Sequence, residues 1–133
     1  MRILVVDDDY VSRVKLMAIL NPYGQCDSAP DGDIALKLCE AAHKELVPYD
    51  LITMDIEMPG MNGQAVVDQV RKIEEALKID GSQAVKILMV TVKAALKDVS
   101  TAYYRGCNGY LKKPTTPEDI KHALEDIGLG LGA

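Results

Sequence analysis

Short apolar runs alternate along the chain with longer stretches whose apolar residues recur at helical spacing, and that alternation calls for a parallel sheet covered on both faces. The runs fall at 3–6, more weakly at 26–29, then at 51–54, 87–90 and 109–111. Between them lie the stripes Ala35, Leu38, Cys39, Ala42; Val66, Val70, Ile73, Leu77; Leu96, Val99, Tyr103; and Ile120, Ala123, Leu124, Ile127. A first helix is expected over about residues 10–20, with Val14, Met17 and Ala18 on one side and its end near Asn21-Pro22. Asp9, Asp31, Asn62 and Thr116 are good N-cap types, Pro117 suits the first helical position, and Gly128 suits a helix end. The pattern predicts an α/β fold of five β–α units, (βα)5, over residues 1–127, with 128–133 as a short flexible tail. The stretch 78–84, with Gly81 in it, reads as a surface loop.

With 133 residues, 48% of them hydrophobic, there is enough apolar material for one core. Fifteen Lys and Arg against twenty Asp and Glu leave a net charge of −5, the wrong sign for coating phosphate backbones or anionic lipid. Neither nucleic acid nor a membrane surface is expected as a direct partner. No run approaches the roughly 18 uninterrupted apolar residues of a membrane span, and the start lacks the apolar segment of a secretory signal. A soluble, cytoplasmic protein is expected. Cys26, Cys39 and Cys107 show no zinc-type spacing and read as reduced packing residues, while His43 and His122 read as solvated surface.

In an open parallel sheet, ligands bind beyond the carboxyl ends of the strands. There the first run ends in Asp7-Asp8-Asp9, the third in Asp55 and the fourth in Thr91, and the fifth is followed by Lys112-Lys113-Pro114. Two carboxylates about 4 Å apart repel by about 4 kcal/mol at an effective dielectric of 20. A cation should therefore fill the gap, and an all-oxygen donor set suits Mg²⁺, which keeps waters for a phosphate to replace. Lys113 adds a positive charge able to pair with an Asp or a phosphoryl oxygen. Asp55, alone at its strand end, is the better nucleophile toward phosphorus, whereas adjacent Asp7 and Asp8 suit metal binding.

These residues bring out a family. Ile3-Leu4-Val5-Val6-Asp7-Asp8-Asp9, then Asp50-Leu51-Ile52-Thr53-Met54-Asp55-Ile56-Glu57-Met58-Pro59-Gly60-Met61-Asn62-Gly63, then Ile87-Leu88-Met89-Val90-Thr91, and Gly106-Cys107-Asn108-Gly109-Tyr110-Leu111-Lys112-Lys113-Pro114 together resemble the receiver domain of two-component response regulators. The resemblance spans about residues 2–127 and implies a doubly wound, flavodoxin-like sheet of order 2-1-3-4-5. It implies Asp55 as the phosphorylated residue, Asp8 and Asp55 as Mg²⁺ ligands, Asp7 as the acid holding the metal through water, and the Glu57 carbonyl as a further ligand. It further implies that Thr91 moves to bind the phosphoryl group, that Lys113 forms its salt bridge, and that Tyr110 rotates with the active state. The donor would be a sensor histidine kinase, a histidine phosphotransfer protein or a small phosphodonor. The protein would be a switch that catalyses only its own phosphorylation and dephosphorylation, a monomer or weak dimer. It would present the fourth helix, fifth strand and fifth helix to an output partner that the sequence does not identify.

Val92 stands where the family usually has a smaller residue, and Glu57 and Lys93 flank the path of attacking water, where an ion pair between them would lengthen the phosphoryl lifetime. Two competing readings remain. Asp7-Asp8-Asp9-Tyr10-Val11 also fits the nucleophile motif of haloacid-dehalogenase-like phosphatases, with Asp7 as nucleophile and Asp9 as general acid. Alternatively, the chain is a degenerate receiver that only binds.

Overall fold

The computed structural model describes residues 1–92 and 105–130. Five parallel strands, β1 (Arg2–Val6), β2 (Gln25–Ala29), β3 (Leu51–Asp55), β4 (Lys86–Val92) and β5 (Gly109–Lys113), form one sheet in the order β2-β1-β3-β4-β5. The helices are α1 (Tyr10–Leu20), α2 (Gly32–Lys44), α3 (Gly63–Ala76) and a C-terminal helix, Pro117–Asp126. The expected stripe at Leu96, Val99 and Tyr103, together with Lys93, lies outside the described residues. No helix among the described residues is long and apolar enough to cross a membrane.

The interior strands β1, β3 and β4 are buried along nearly their whole length because their two faces meet different helices, whereas the edge strands β2 and β5 each bury one residue. Leu4, Val6, Ile52, Met54, Ile87 and Met89 face one layer with Ala35, Cys39, Val66 and Val70 of α2 and α3. Ile3, Val5, Leu51, Leu88, Val90 and Leu111 face the other with Leu16, Leu20, Ile120 and Leu124 of α1 and the C-terminal helix. The three thiols are free, and burial pushes that of Cys39 up to about 12, so it serves as packing.

Local chemistry starts the helices where expected. Asp9, Asp31 and Asn62 accept from the amides of Ser12, Ile34 and Ala65, satisfying donors that a first turn leaves free. Thr116 and Asp119 cap one another reciprocally below Pro117. Gly128 follows the last helix at φ 85, and Leu129 donates to the Leu124 carbonyl and packs on the second core layer, so this part of the assigned tail is attached to the domain. The stretch 78–84 contains a single 3-10 turn, Gly81–Gln83, capped by Asp80.

Two helix faces differ from expectation. In α1 the buried residues are Leu16 and Leu20, while Val14 is 48% exposed and Ala18 is also exposed. Apolar side chains occur almost all round this helix, so spacing does not single out a face. In α3 Val67 is fully buried, and Leu77, counted in the stripe, is the half-exposed C-cap.

Thr53, at the centre of β3, is fully buried and its hydroxyl has no partner. An unpaired buried hydroxyl costs about 1–3 kcal/mol. Thr53→Val removes it at nearly constant volume and is expected to stabilise the protein by about 1 kcal/mol, read as a rise of a few degrees in Tm by calorimetry. An unchanged or lower Tm would show that the hydroxyl is satisfied.

Candidate functional site

In the observed order α1 and α2 leave β1 and β2 toward opposite faces, which opens a crevice beyond the carboxyl ends of β1 and β3. Parallel pairing sets Val6 beside Met54 and Asp55 beside Val90, so Asp7 and Asp55 emerge at one level. Carboxylate oxygens of Asp7, Asp8 and Asp55 lie within 4.8 Å of one another. Asp7 and Asp55 are buried and Asp8 is exposed. Lys113 reaches in from the end of β5, its Nζ 2.8 Å from Asp7 Oδ2 and 3.7 Å from Asp55 Oδ2.

Backbone constraints hold these side chains still. The Asp9 amide donates to Asp7 Oδ1 at 2.9 Å and the Glu57 amide to Asp55 Oδ1 at 3.3 Å. Gly63 donates to the Ile56 carbonyl, and a Cβ at Gly63 would lie 2.3 Å from the Asp55 carbonyl oxygen, so only glycine lets α3 start this close to the acidic strand end. Arg13, which the sequence reading passed over, donates to the Asp7 carbonyl at 2.7 Å while its guanidinium sits 5.6 Å from the Tyr10 ring. The available signal was geometric: a long side chain in the first turns of a helix points back toward the helix N-terminus, here the acidic strand end.

Burial, opposed by Lys113 and reinforced by the charge of Asp7 and a hydrogen bond with Asp8, raises the Asp55 carboxyl to about 7. For Lys113, burial opposes the charge, but its hydrogen bond to Asp7 and the charges of Asp55, Asp7 and Asp8 prevail and raise its pKa. Among the described residues, three crowded carboxylates with a single amine close to them leave net negative charge in a partly dry crevice. An all-oxygen set of this kind fits a hard divalent cation, with Asp7, Asp8 and Asp55 as donors.

Thr91 is buried at the end of β4, one residue beyond the Asp55–Val90 pair, and its hydroxyl donates to the Val92 carbonyl at 3.2 Å. Glu57 is exposed on the loop after β3, and Tyr110 is 51% exposed on β5. The phosphatase reading needs Asp9 as a protonated acid. Its carboxylate instead accepts from the hydroxyl and amide of Ser12, which hold its pKa below the ordinary value, and it stands outside the acidic cluster.

A family model described as the response regulator receiver domain matches residues 3–125. The chemotaxis protein CheY of Pseudomonas aeruginosa is 33% identical over 129 residues, covering 96% of this chain and 95% of its own. The nitrate/nitrite response regulator protein NarL of Escherichia coli is 33% identical over 131 residues, 96% of this chain, which spans only 55% of that relative's length. Among solved structures, the chemotaxis protein CheY4 of Vibrio cholerae superposes with a TM-score of 0.77 at 28% identity, covering 95% of this chain and 97% of its own.

The raised Asp55 pKa has a stability consequence with a definite sign. Between about pH 4, where an unfolded aspartate titrates, and about 7, the folded state holds the extra proton, so stability falls as pH rises through this window. Without divalent metal, Tm is expected to drop between pH 5 and pH 8, and Asp55→Asn should remove most of the drop. Mg²⁺ at pH 8 should restore the wild-type Tm and do much less for the variant. Parallel melting curves for the two proteins would contradict this origin of the pH dependence.

Proposed function

The chain belongs to the response regulator receiver domain family, a fold of phosphorelay signalling, and on that footing we propose that Asp55 is its phosphoryl acceptor. The observation that carries the reading is the convergence of Asp7, Asp8 and Asp55 within 4.8 Å, with Lys113 2.8 Å from Asp7 and 3.7 Å from Asp55. When bound by Asp7, Asp8, Asp55 and the Glu57 carbonyl, Mg²⁺ would neutralise the charge gathered on the transferring phosphoryl oxygens.

The protein's own groups do the remainder by placement. An Asp55 carboxylate oxygen attacks phosphorus. The phosphorus–nitrogen bond of a phosphohistidine donor breaks, its electron pair returns to the imidazole, and an acyl phosphate forms. Lys113 supplies fixed positive charge where the phosphoryl oxygens arrive. A groove of about 440 Å³ opens beside the site, lined by Val11, Ser12, Lys15 and Ile19 of α1 together with Pro114 and Thr115, and gives a donor protein a way in. The donor we assign is a sensor histidine kinase or a histidine phosphotransfer protein, acting in the cytoplasm, where three free thiols stay reduced.

Phosphorylation adds about −1.5 to −2 charges and three acceptor oxygens. The Thr91 hydroxyl would exchange its acceptor, the Val92 carbonyl at 3.2 Å, for a phosphoryl oxygen. Its inward move would vacate room for Tyr110, now half in solvent, and alter the surface of β5 and the C-terminal helix that an output protein reads. The two states differ by the contacts of Thr91, which is what a ligand needs to shift a population.

Treatment with acetyl phosphate and Mg²⁺, followed by peptide mass spectrometry, is expected to place one phosphoryl adduct on Asp55, with none on Asp55→Asn. Lys113→Ala should slow labelling about 100-fold, the order found for losing one preorganised charge-stabilising donor. Labelling of Asp7, or turnover of small phosphate esters, would restore the phosphatase reading. Absence of any Mg²⁺-dependent adduct would make the chain a binding module only.

A further inference from the structure

β5 poses a problem that its own sequence does not solve. A one-residue slip turns every side chain of a strand to the opposite face. In Gly109-Tyr110-Leu111-Lys112-Lys113 such a slip is nearly silent by residue type, since Tyr110 would replace Leu111 in the core and Lys112 would replace Lys113 at the carboxylates. β5 is an edge strand paired only with β4, and Leu111 is its one buried residue. Gly109 offers a weak brake, because a Cβ in its place would come 3.1 Å from a Leu88 methyl, which can give way. Yet the register is definite, with Thr91 beside Lys112 and Val92 beside Lys113.

Just before β5 stands a polar network that no part of the site uses. Asn108 Oδ1 accepts from the Ile87 amide at 2.8 Å, and the Asn108 amide donates to the Ile87 carbonyl at 2.8 Å. Arg71 of α3 donates to the same Asn108 oxygen at 3.2 Å and to the Gly106 carbonyl at 2.9 Å. Glu74, 5% exposed, accepts from Arg71 at 2.6 Å and from the Val85 amide at 2.7 Å. Gly106 has φ +103, and a Cβ there would sit 3.2 Å from Arg71 Cγ, so the turn is pressed against α3. Buried charge and amide groups keep their place only when every partner is met. Sliding β5 by one residue would remove Asn108 from Ile87, leave the Ile87 amide without its acceptor and cost Arg71 its bond to Asn108 while its bond to Glu74 stays.

We propose that Asn108, held by Arg71 and Glu74, is a positioning residue that sets the register of β5 on β4 and thereby aims Lys113, and not Lys112, at Asp7 and Asp55. It acts through the strand, five residues away from the amine it directs. The part played by Lys113 rests on the phosphoryl-acceptor reading above, whereas the register itself does not.

The test compares Asn108→Leu, similar in size but without an acceptor, with Asn108→Asp, which keeps one. Cross-strand nuclear Overhauser contacts of Val92 read the register directly. Asn108→Asp should retain the Val92–Lys113 pairing, and Asn108→Leu should shift it to Lys112 or split it between two registers. In acetyl phosphate labelling, Lys112→Ala should be harmless in the wild type and cost several-fold on the Asn108→Leu background, where Lys113→Ala should lose most of its penalty. Native pairing in Asn108→Leu, with only a lower Tm, would overturn the proposal, as would equal lysine penalties on both backgrounds. Should Asn108→Leu not fold, Arg71→Met, which leaves the Asn108–Ile87 bonds in place, is read by the same contacts, with a mixed register expected and a wholly native one contradicting it. If Lys113→Ala leaves wild-type labelling unchanged, the role given to Lys113 fails, if no adduct forms on Asp55 the acceptor reading fails, and in either case the Val92 contacts still decide the register.

Discussion

Repulsion among three carboxylates is the constraint around which the carboxyl end of this sheet is arranged. Two of them are buried, so water does little to screen them, and one lysine is shared between Asp7 and Asp55 at unequal distances. Burial first, and the Asp7 charge after it, push the Asp55 carboxyl up to about 7. A cluster left with surplus negative charge attracts a dication and then a phosphoryl group, whose oxygens bring charge that the lysine and the metal are already placed to receive. The energy stored in assembling like charges becomes the source of the site's affinity.

The sheet makes this possible by keeping four groups at one height although the chain separates Asp7 and Lys113 by roughly a hundred residues. β1 and β3 are interior strands packed on both faces, so their ends are fixed by neighbours on every side. Lys113 comes from an edge strand with one buried residue, whose start is tied to α3 by the bonds of Arg71 to Asn108 and Glu74. α3 thus meets the site through Gly63 beside the Asp55 carbonyl and the turn that precedes β5 through Arg71.

The strands, the four helix caps and the residues of the acidic cluster were legible in the chain because each depends on local chemistry: apolar runs, an Asx or Thr before a stripe, an acid at a run's end. The rule that ligands bind beyond the carboxyl ends of parallel strands brought the separate residues to one rim, and the resemblance to the receiver family supplied the strand order. What stayed hidden depends on packing across the fold. Leu16 and Leu20, not Val14 and Ala18, face the core, since α1 is apolar almost all round and its neighbours decide which side is buried. Arg13 and Asn108 carry no local signature either, because their partners, the Asp7 carbonyl and the Ile87 amide, are backbone groups set by the fold. The full burial of an unpaired Thr53 likewise belongs to the assembled sheet.

Diffraction from crystals soaked in Mn²⁺, recorded for its anomalous signal, would examine the charge argument at its root. The account predicts one peak bounded by the Asp7, Asp8 and Asp55 carboxylates, lost in Asp8→Asn crystals treated alike. A peak at some other acidic surface with none in the crevice, or carboxylates found splayed apart with Lys113 turned to solvent, would contradict it.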